Sequence, residues 1–434
     1  MNAWLKAILL PIACLGLICG VGGAQGSAEA QTAAPAAPAP AAEAAPAAPA
    51  PPQVMGMDFT GYVDVGLQSY STGQGKFDST TPNGKQFANA RTFDFANDQV
   101  QLQNVSLRLN KTPDVGFGGM IDLTLGQDAD TIAAYGTIDK HKGPAGGANQ
   151  EYDITQLYGY YGFNSKLSAI FGKYATHAGQ EVITSRDDTN FSRSILFGYA
   201  IPFTHTGVRA TYKASDSLNL LLGANEGWDI VTSDNNGTTL EFDWEWTASK
   251  QFSFFGTYLS GNQQTSYYVQ NSSGTVGLSG VTGNRTLVDL LFTYNATDAL
   301  SFVLNYDSGS QGNVDLSAIG KSSSATATWN GTALYANYGI NDNWRTSVRA
   351  ESFSDPDGYR TTIATGKTTG PTWTEGTVTV AFMGFKNTEI RGEVRSDNAD
   401  QKIFLDGSVT SKPPTTKPAI DSMTSIGAEV IYKF

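Results

Sequence analysis

The sequence predicts an all-β chain: a transmembrane antiparallel up-and-down β-barrel of about 16 strands, with short periplasmic turns and long extracellular loops. Three observations predict it. First, the chain ends on a strand of period two, in which Ile426, Ala428, Val430, Tyr432 and Phe434 alternate with Gly427, Glu429, Ile431 and Lys433. One face is apolar and aromatic, and the other is mostly small or charged. Second, from Gly56 onward compact turn clusters alternate with long polar segments. Third, no apolar run after the N-terminal segment approaches the ~18 residues a membrane helix needs. A spanning chain of this composition, with only 16% charged residues and a mean hydropathy of −0.23, must cross with strands whose apolar residues are diluted by polar ones.

Residues 1–30 read as an export signal: Lys6 supplies the positive charge, an apolar core follows, and small residues allow cleavage after Ala24 or Ala30. Cys14 and Cys19 both lie in this segment, so the exported chain has neither thiolate chemistry nor disulfides. Lipidation is disfavoured by Ile18 before Cys19 and by Pro11 upstream of Cys14. Residues 31–55 are almost entirely Ala and Pro and read as an extended periplasmic linker, because they have no apolar face to bury. The barrel is expected over 56–434.

Seven short turns punctuate that span: Lys111 to Asp114, Asn164-Ser165, Ser215 to Ser217, Ala248 to Lys250, Ala296 to Asp298, Asn341-Asp342 and Lys386-Asn387. Eight long loops complete the set, at roughly 24 residues per strand and link. An even strand count leaves both ends of the barrel on the short-turn side. Within the strands, Leu240, Phe242, Trp244 and Trp246 alternate with Glu241, Asp243 and Glu245. Trp344, Val348 and Ala350 alternate with Arg345, Arg349 and Glu351, and Ile390, Gly392 and Val394 with Glu389, Arg391, Glu393 and Arg395. Periodicity alone fits a soluble sandwich as well. The export signal, the aromatic terminus and aromatics near strand ends (Trp228, Trp246, Tyr258, Tyr294, Tyr306, Tyr338) select the membrane, with apolar faces towards lipid and charges towards an aqueous lumen.

A barrel this wide leaves an open channel unless something narrows it. The third long loop, 175–201, is the candidate. It mixes Val182, Ile183, Phe191, Ile195, Leu196 and Phe197 with charges, and apolar residues gain nothing in a loop that waves in solvent. Folded inward, it can hold Glu181, Arg186, Asp187, Asp188 and Arg193 across the pore; packed on itself, it is an outer cap. On the wall, Glu241, Asp243 and Glu245 belong to the eighth strand, with Arg345, Arg349, Arg391 and Arg395 on the thirteenth and fifteenth. Two arrangements fit: acid facing base across the lumen as a transverse field, or local pairs in which Glu351, Glu389 and Glu393 neutralise the arginines. The net charge of −12 favours cations as cargo and excludes nucleic acid as a partner.

The terminal strand, Tyr432 and Phe434 included, resembles the C-terminal assembly signal of bacterial outer-membrane barrels. The stretch Thr176 to Tyr212 resembles the OmpL-like β-barrel porin family through Gly-Gln-Glu-Val at 179–182, Ser-Arg-Ser-Ile-Leu-Phe at 192–197, Ile-Pro-Phe at 201–203 and Thr-Gly-Val at 206–208. So do Gly-Tyr-Val-Asp-Val at 61–65 and Asn-Glu-Gly-Trp-Asp at 225–229, where Glu226 stands in place of the family's frequent Asn. The similarity covers most of 56–434, with its specific motifs in 170–236. It implies an outer-membrane diffusion channel, and it brings no catalytic or cofactor residues with it.

His141, His177 and His205 are isolated, without the spacing of a metal site. A rim hydrolase would need His177 beside Ser185, Asp187 and Asp188. The sequences at 234–237 and 355–358 resemble fragments of calcium loops, but Asx and Gly turns account for them more simply. No enzyme and no cofactor is expected. The partners expected are outer-membrane lipids, the barrel-assembly machinery and small hydrophilic solutes or ions; a homotrimer stays open. Two alternatives to a channel remain: a plugged barrel acting as surface anchor or adhesin, and a sheath for a separate electron carrier.

Overall fold

A computed structural model describes residues 51–71, 91–93, 98–134, 152–233, 237–271, 274–317, 320–361, 370–405 and 419–434. The expected signal, 1–30, and all but the end of the expected linker lie outside the described residues, as does His141.

Sixteen antiparallel strands form one closed barrel. They are β1 (Met57–Tyr70), β2 (Gln99–Lys111), β3 (Gly116–Leu125), β4 (Tyr152–Asn164), β5 (Leu167–Ala175), β6 (Thr204–Ser215), β7 (Leu218–Asn225) and β8 (Thr239–Thr247). The second half comprises β9 (Phe252–Asn271), β10 (Gly274–Asn295), β11 (Leu300–Val314), β12 (Ala325–Asn341), β13 (Trp344–Ser354), β14 (Thr372–Phe385), β15 (Thr388–Ala399) and β16 (Ser422–Lys433). Each pairs with its chain neighbours, and β16 pairs with β1, placing Ala428 opposite Leu67 and Glu429 opposite Gly66. Gln53–Val54 folds back on β1 as a two-residue flange at the end of the expected linker.

The seam closes beyond the last ladder pair. Phe434 donates its N–H to the Gly61 carbonyl at 2.9 Å and accepts the Gly61 N–H at 2.8 Å. Its ring lies on Gly61, where a Cβ would come within 2.6 Å of it, so only glycine allows that approach.

The turns follow their sequence chemistry. The Asn164 side chain, for example, accepts the backbone N–H groups of Lys166 and Leu167. The fifth long link departs from expectation. Instead of a loop, β9 and β10 run on for 20 and 22 residues as one continuous hairpin.

Which face is wet is read directly from exposure. Leu222, Leu240 and Ile426 are 64%, 62% and 63% exposed, whereas Asp243, Arg349 and Arg391 are fully covered at 0%. A soluble sandwich would show the reverse. Apolar side chains point outward and ionic ones into the barrel, as a hydrocarbon surround requires. Trp246, Tyr258, Tyr294, Tyr306 and Tyr338 stand on the outer face as expected. Trp228 is a correction: it turns inward, 5% exposed, against Trp329. The interior is also not uniformly ionic. Phe255, Leu259, Leu287, Leu291, Val303 and Tyr335 face inward and are buried in an apolar cluster with residues of the third long loop. On β9–β11 these apolar residues share the inner face with Thr257, Asp289, Asn305 and Asp307, so the interior there is mixed, with apolar side chains on the inside as well as the outside.

Val394, 51% exposed at the middle of β15, is expected to lie in hydrocarbon. Val394→Arg should therefore cost about 2–4 kcal/mol in denaturant unfolding from phospholipid vesicles. An unchanged unfolding midpoint would remove the outer face from the membrane.

Candidate pore constriction

The loop between β5 and β6, residues 176–203, enters the barrel. Its neck is tied by the Thr176 N–H to the Phe203 carbonyl at 2.9 Å. From there it passes along β10 and β11, where Gly179 donates to Asp289 at 3.0 Å and Gln180 to Asn305 at 3.1 Å. A short 3₁₀ turn, Ser185–Asp187, then meets β1, the Ser185 N–H reaching the Tyr62 hydroxyl at 3.2 Å. The loop returns past β15 and β13 and ends in a π-helical turn, Leu196–Ala200.

The wall holds this loop by its backbone, and the sign of each wall group decides what it holds. Carboxylates take N–H groups. Glu393 accepts from Phe191 at 2.8 Å and Ser192 at 3.1 Å, and Glu351 accepts from Ile195 at 2.6 Å and Leu196 at 3.1 Å. Guanidinium groups take carbonyls. Arg349 donates to Ser192 at 2.6 Å, Arg391 to Asp188 at 2.7 Å and Arg395 to Arg193 at 2.6 Å. An irregular backbone has orphan donors and acceptors, and burying them without partners is costly. The ionic wall satisfies both kinds with charge-assisted bonds.

Apolar anchors complete the seat. The Leu196–Ala200 turn packs among Trp329, Phe353 and Trp373, and Trp329 Nε1–H donates to the Ala200 carbonyl at 3.0 Å. Phe191 lies on Gly66 of β1 and Gly427 of β16, where a Cβ would approach its ring to 2.7 and 2.6 Å.

The predicted loop residues divide into two groups. Glu181, Asp188 and Arg193 are engaged: Glu181 pairs with Arg349 at 2.6 Å and accepts the Ser194 N–H at 2.7 Å, while Asp188 pairs with Arg193 at 3.1 Å. Burial pushes the Asp188 carboxyl up, to about 7, against the pull of Arg193. Arg186 and Asp187 pair more loosely at 3.6 Å and keep 16% and 10% of their side chains exposed, more than the other three.

The predicted wall residues lie in local pairs, but of the three acids expected to neutralise the arginines only Glu389 does so. Glu351 and Glu393 are taken up by the loop's N–H groups, and Glu375, Asp397 and Glu429 serve in their place. Arg345 pairs with Glu389 at 2.7 Å, and Arg349 also with Glu375 at 2.6 Å. Arg391 pairs with Glu389 and Glu429 at 2.7 and 2.9 Å, and Arg395 with Asp397 at 2.6 Å. On the acidic side, Glu241 pairs with Arg209 at 2.7 Å, Asp243 meets His177 at 3.3 Å, and Glu245 accepts from Asn219 at 2.9 Å. Glu375, Asp397, Glu429, Arg209 and Asp289 were not singled out from sequence. All share the inward parity of the residues that were, which is the signal that finds them.

His177 sits on Asp243, while Ser185 sits by Tyr62 and Arg391, so the rim constellation of a hydrolase is not brought together. Asp355 spends its carboxylate on the N–H groups of Tyr359, Arg360 and Thr361 and on the Thr361 hydroxyl, which is a turn and not a calcium loop. Residues 234–236 lie outside the described residues.

Glu393→Ala removes the acceptor for two loop N–H groups. We expect it to weaken loop docking by about 2–3 kcal/mol and to make residues 186–193 cleavable by added protease while the barrel stays folded. Equal protease resistance in wild type and variant would show that the wall carboxylate does not hold the loop.

No curated protein matches the chain in sequence. Among solved structures, it resembles the trimer form of OmpT from Vibrio cholerae (11% identity, 87% of this chain and 99% of that one, TM-score 0.53). It also resembles an anion-selective porin from Comamonas acidovorans (10% identity, 87% and 99%, TM-score 0.52) and OprB from Pseudomonas putida (12% identity, 87% and 94%, TM-score 0.51). At these identities the likeness is one of fold. The family described as "Putative beta-barrel porin-2, OmpL-like" matches residues 56–434, the whole of the barrel. The family is one of porins, which points to a channel rather than an enzyme. The chain belongs to this OmpL-like β-barrel porin family and resides in the bacterial outer membrane.

Proposed function

We propose that this porin passes ions and small hydrophilic solutes by passive diffusion, with the loop at 176–203 as its constriction. The observation that carries this is the inward course of the loop, held across the barrel by Asp289, Tyr62, Glu393 and Glu351. Arg186 and Asp187 are the loop charges best placed to meet a passing solute. Glu181, Asp188 and Arg193 act through the loop's shape. The wall residues Glu241, Asp243, Glu245, Arg345, Arg349, Arg391 and Arg395 set its position more than they set a field, because each has a polar partner close by.

One observation favours a plugged barrel serving as anchor: Arg349, Arg391 and Arg395 are at most 1% exposed beneath the loop. Nothing among the described residues favours the electron-carrier sheath. Tyr432 and Phe434 we assign to recognition by the assembly machinery, on the strength of their position at the seam. A homotrimer is proposed by analogy with OmpT, whose solved forms include a trimer.

Single-channel recording in planar bilayers tests the proposal. The wild type should give discrete conductance steps, and replacing residues 180–197 with a short Gly-Ser link should enlarge them. A silent wild type that opens only on loop replacement would support the plug, and silence of both would remove the channel.

A further inference from the structure

Every other arginine of the chain lies within 3.6 Å of a carboxylate oxygen. Arg285 and Arg360 have no such partner among the described residues. Arg285, on β10, donates through Nε to Gln311 at 2.8 Å and through Nη2 to the Tyr359 hydroxyl at 2.7 Å. Arg360, in the loop after β13, donates through Nε to the Tyr199 carbonyl and through Nη2 to the Ile201 carbonyl at 3.5 Å. These are neutral acceptors, and they leave each Nη1 without a protein partner among the described residues.

The two guanidinium groups share one aromatic frame. Their Cζ atoms lie 5.1 and 5.4 Å from the Trp228 ring, Arg360 is also 5.4 Å from Trp329, and Arg285 is 5.8 Å from Tyr359. Indole faces hold a cation in place and leave its positive charge uncancelled. Asp229 and Asp355 act on Arg360 only at longer range. Asp229 accepts the Phe203 and Thr204 N–H groups, and Asp355 is filled by its own turn. Burial, and then the charge of Arg285, bring the Arg360 guanidinium down to about 10. Both arginines keep part of their surface exposed.

Their place in the barrel adds meaning. Trp228 and Arg360 belong to long loops, and Arg360 rests on Tyr199 and Ile201 at the end of the constriction loop. A solute entering from the long-loop side meets this pair at the edge of the constriction. We propose that Arg285 and Arg360, set around Trp228, form a docking station for a small oxyanion, a carboxylate- or phosphate-bearing solute on its way to the constriction. The chain's net acidity favours cations, but acidity that is spent in pairs does not act on a solute, whereas unpaired guanidinium does. The inference rests on the diffusion reading above and names its cargo.

The test uses the purified full-length barrel. In planar bilayers bathed in potassium chloride, millimolar sodium phosphate or sodium acetate should lower the chloride current of the wild type. Arg285→Gln, which leaves the loop's own bonds to Arg360 intact, should weaken that block about tenfold, the loss of one charge-assisted contact. Arg285→Lys should retain most of it. Response to phosphate alone assigns phosphate esters, and response to both assigns carboxylates as well. An equal response in wild type and Arg285→Gln overturns the docking station while leaving the channel intact. If the wild type does not conduct, the diffusion reading falls, and calorimetric titration of phosphate and acetate into the detergent-solubilised protein decides the site. Heat that is lost in Arg285→Gln supports it, and no heat with either anion overturns it.

Discussion

A strand in hydrocarbon has no water to satisfy its backbone, so every N–H and C=O must find another strand. Closure of the ladder between β16 and β1 meets that requirement here, and the rest of the structure depends on it. Closure fixes the even alternation of short turns and long links, and puts both ends of the barrel on the same side. It also gives every strand one face towards lipid and one towards the interior. The terminal Phe434, bonded to Gly61 in both directions, extends closure to the last residue.

With the outside given over to lipid, the polar work moves inside. The wall charges stand in for solvent around a loop that would otherwise bury an unsatisfied backbone. The pattern is simple, with acids on N–H groups and guanidinium on carbonyls, and it explains why so many charges survive in so covered a place. Removing one partner would strand the other, at a cost of roughly 3–5 kcal/mol for a buried pair. The apolar side chains on the inner faces of β9 to β12 supply what charge cannot, a surface against which the loop loses water. The same division sets Arg285 and Arg360 apart, because aromatic rings have replaced their counter-ions.

Much of this was legible in the sequence. Period two separated the faces of β8, β13 and β15 without ambiguity, because each carries bulky apolar residues against charges. The turns announced themselves through Asn, Asp, Ser and Pro. The inward loop was betrayed by Phe191, Ile195, Leu196 and Phe197, which have no business in open water. What was not legible depends on contacts far apart in the chain. Arg349 and Glu181 are 168 residues apart, and no local spacing reveals that they meet. Trp228 looked like an interfacial aromatic because it follows a strand end. It turns inward because Asp229 beside it is tied to the Phe203 and Thr204 N–H groups at the neck of the loop, where Trp329 and two guanidinium groups receive the indole. In β9 to β11 the inner face carries Phe255, Leu259, Leu287, Leu291 and Val303 beside its polar residues, which hid the interior seat among residues that also suit lipid.

The socket for Phe191 spans the seam: Gly66 belongs to the first strand and Gly427 to the last. Those two surfaces do not exist side by side until the first and last strands of the barrel have met. A half-assembled sheet has nowhere to lodge the ring, so the loop can take this seat only when the cylinder is complete.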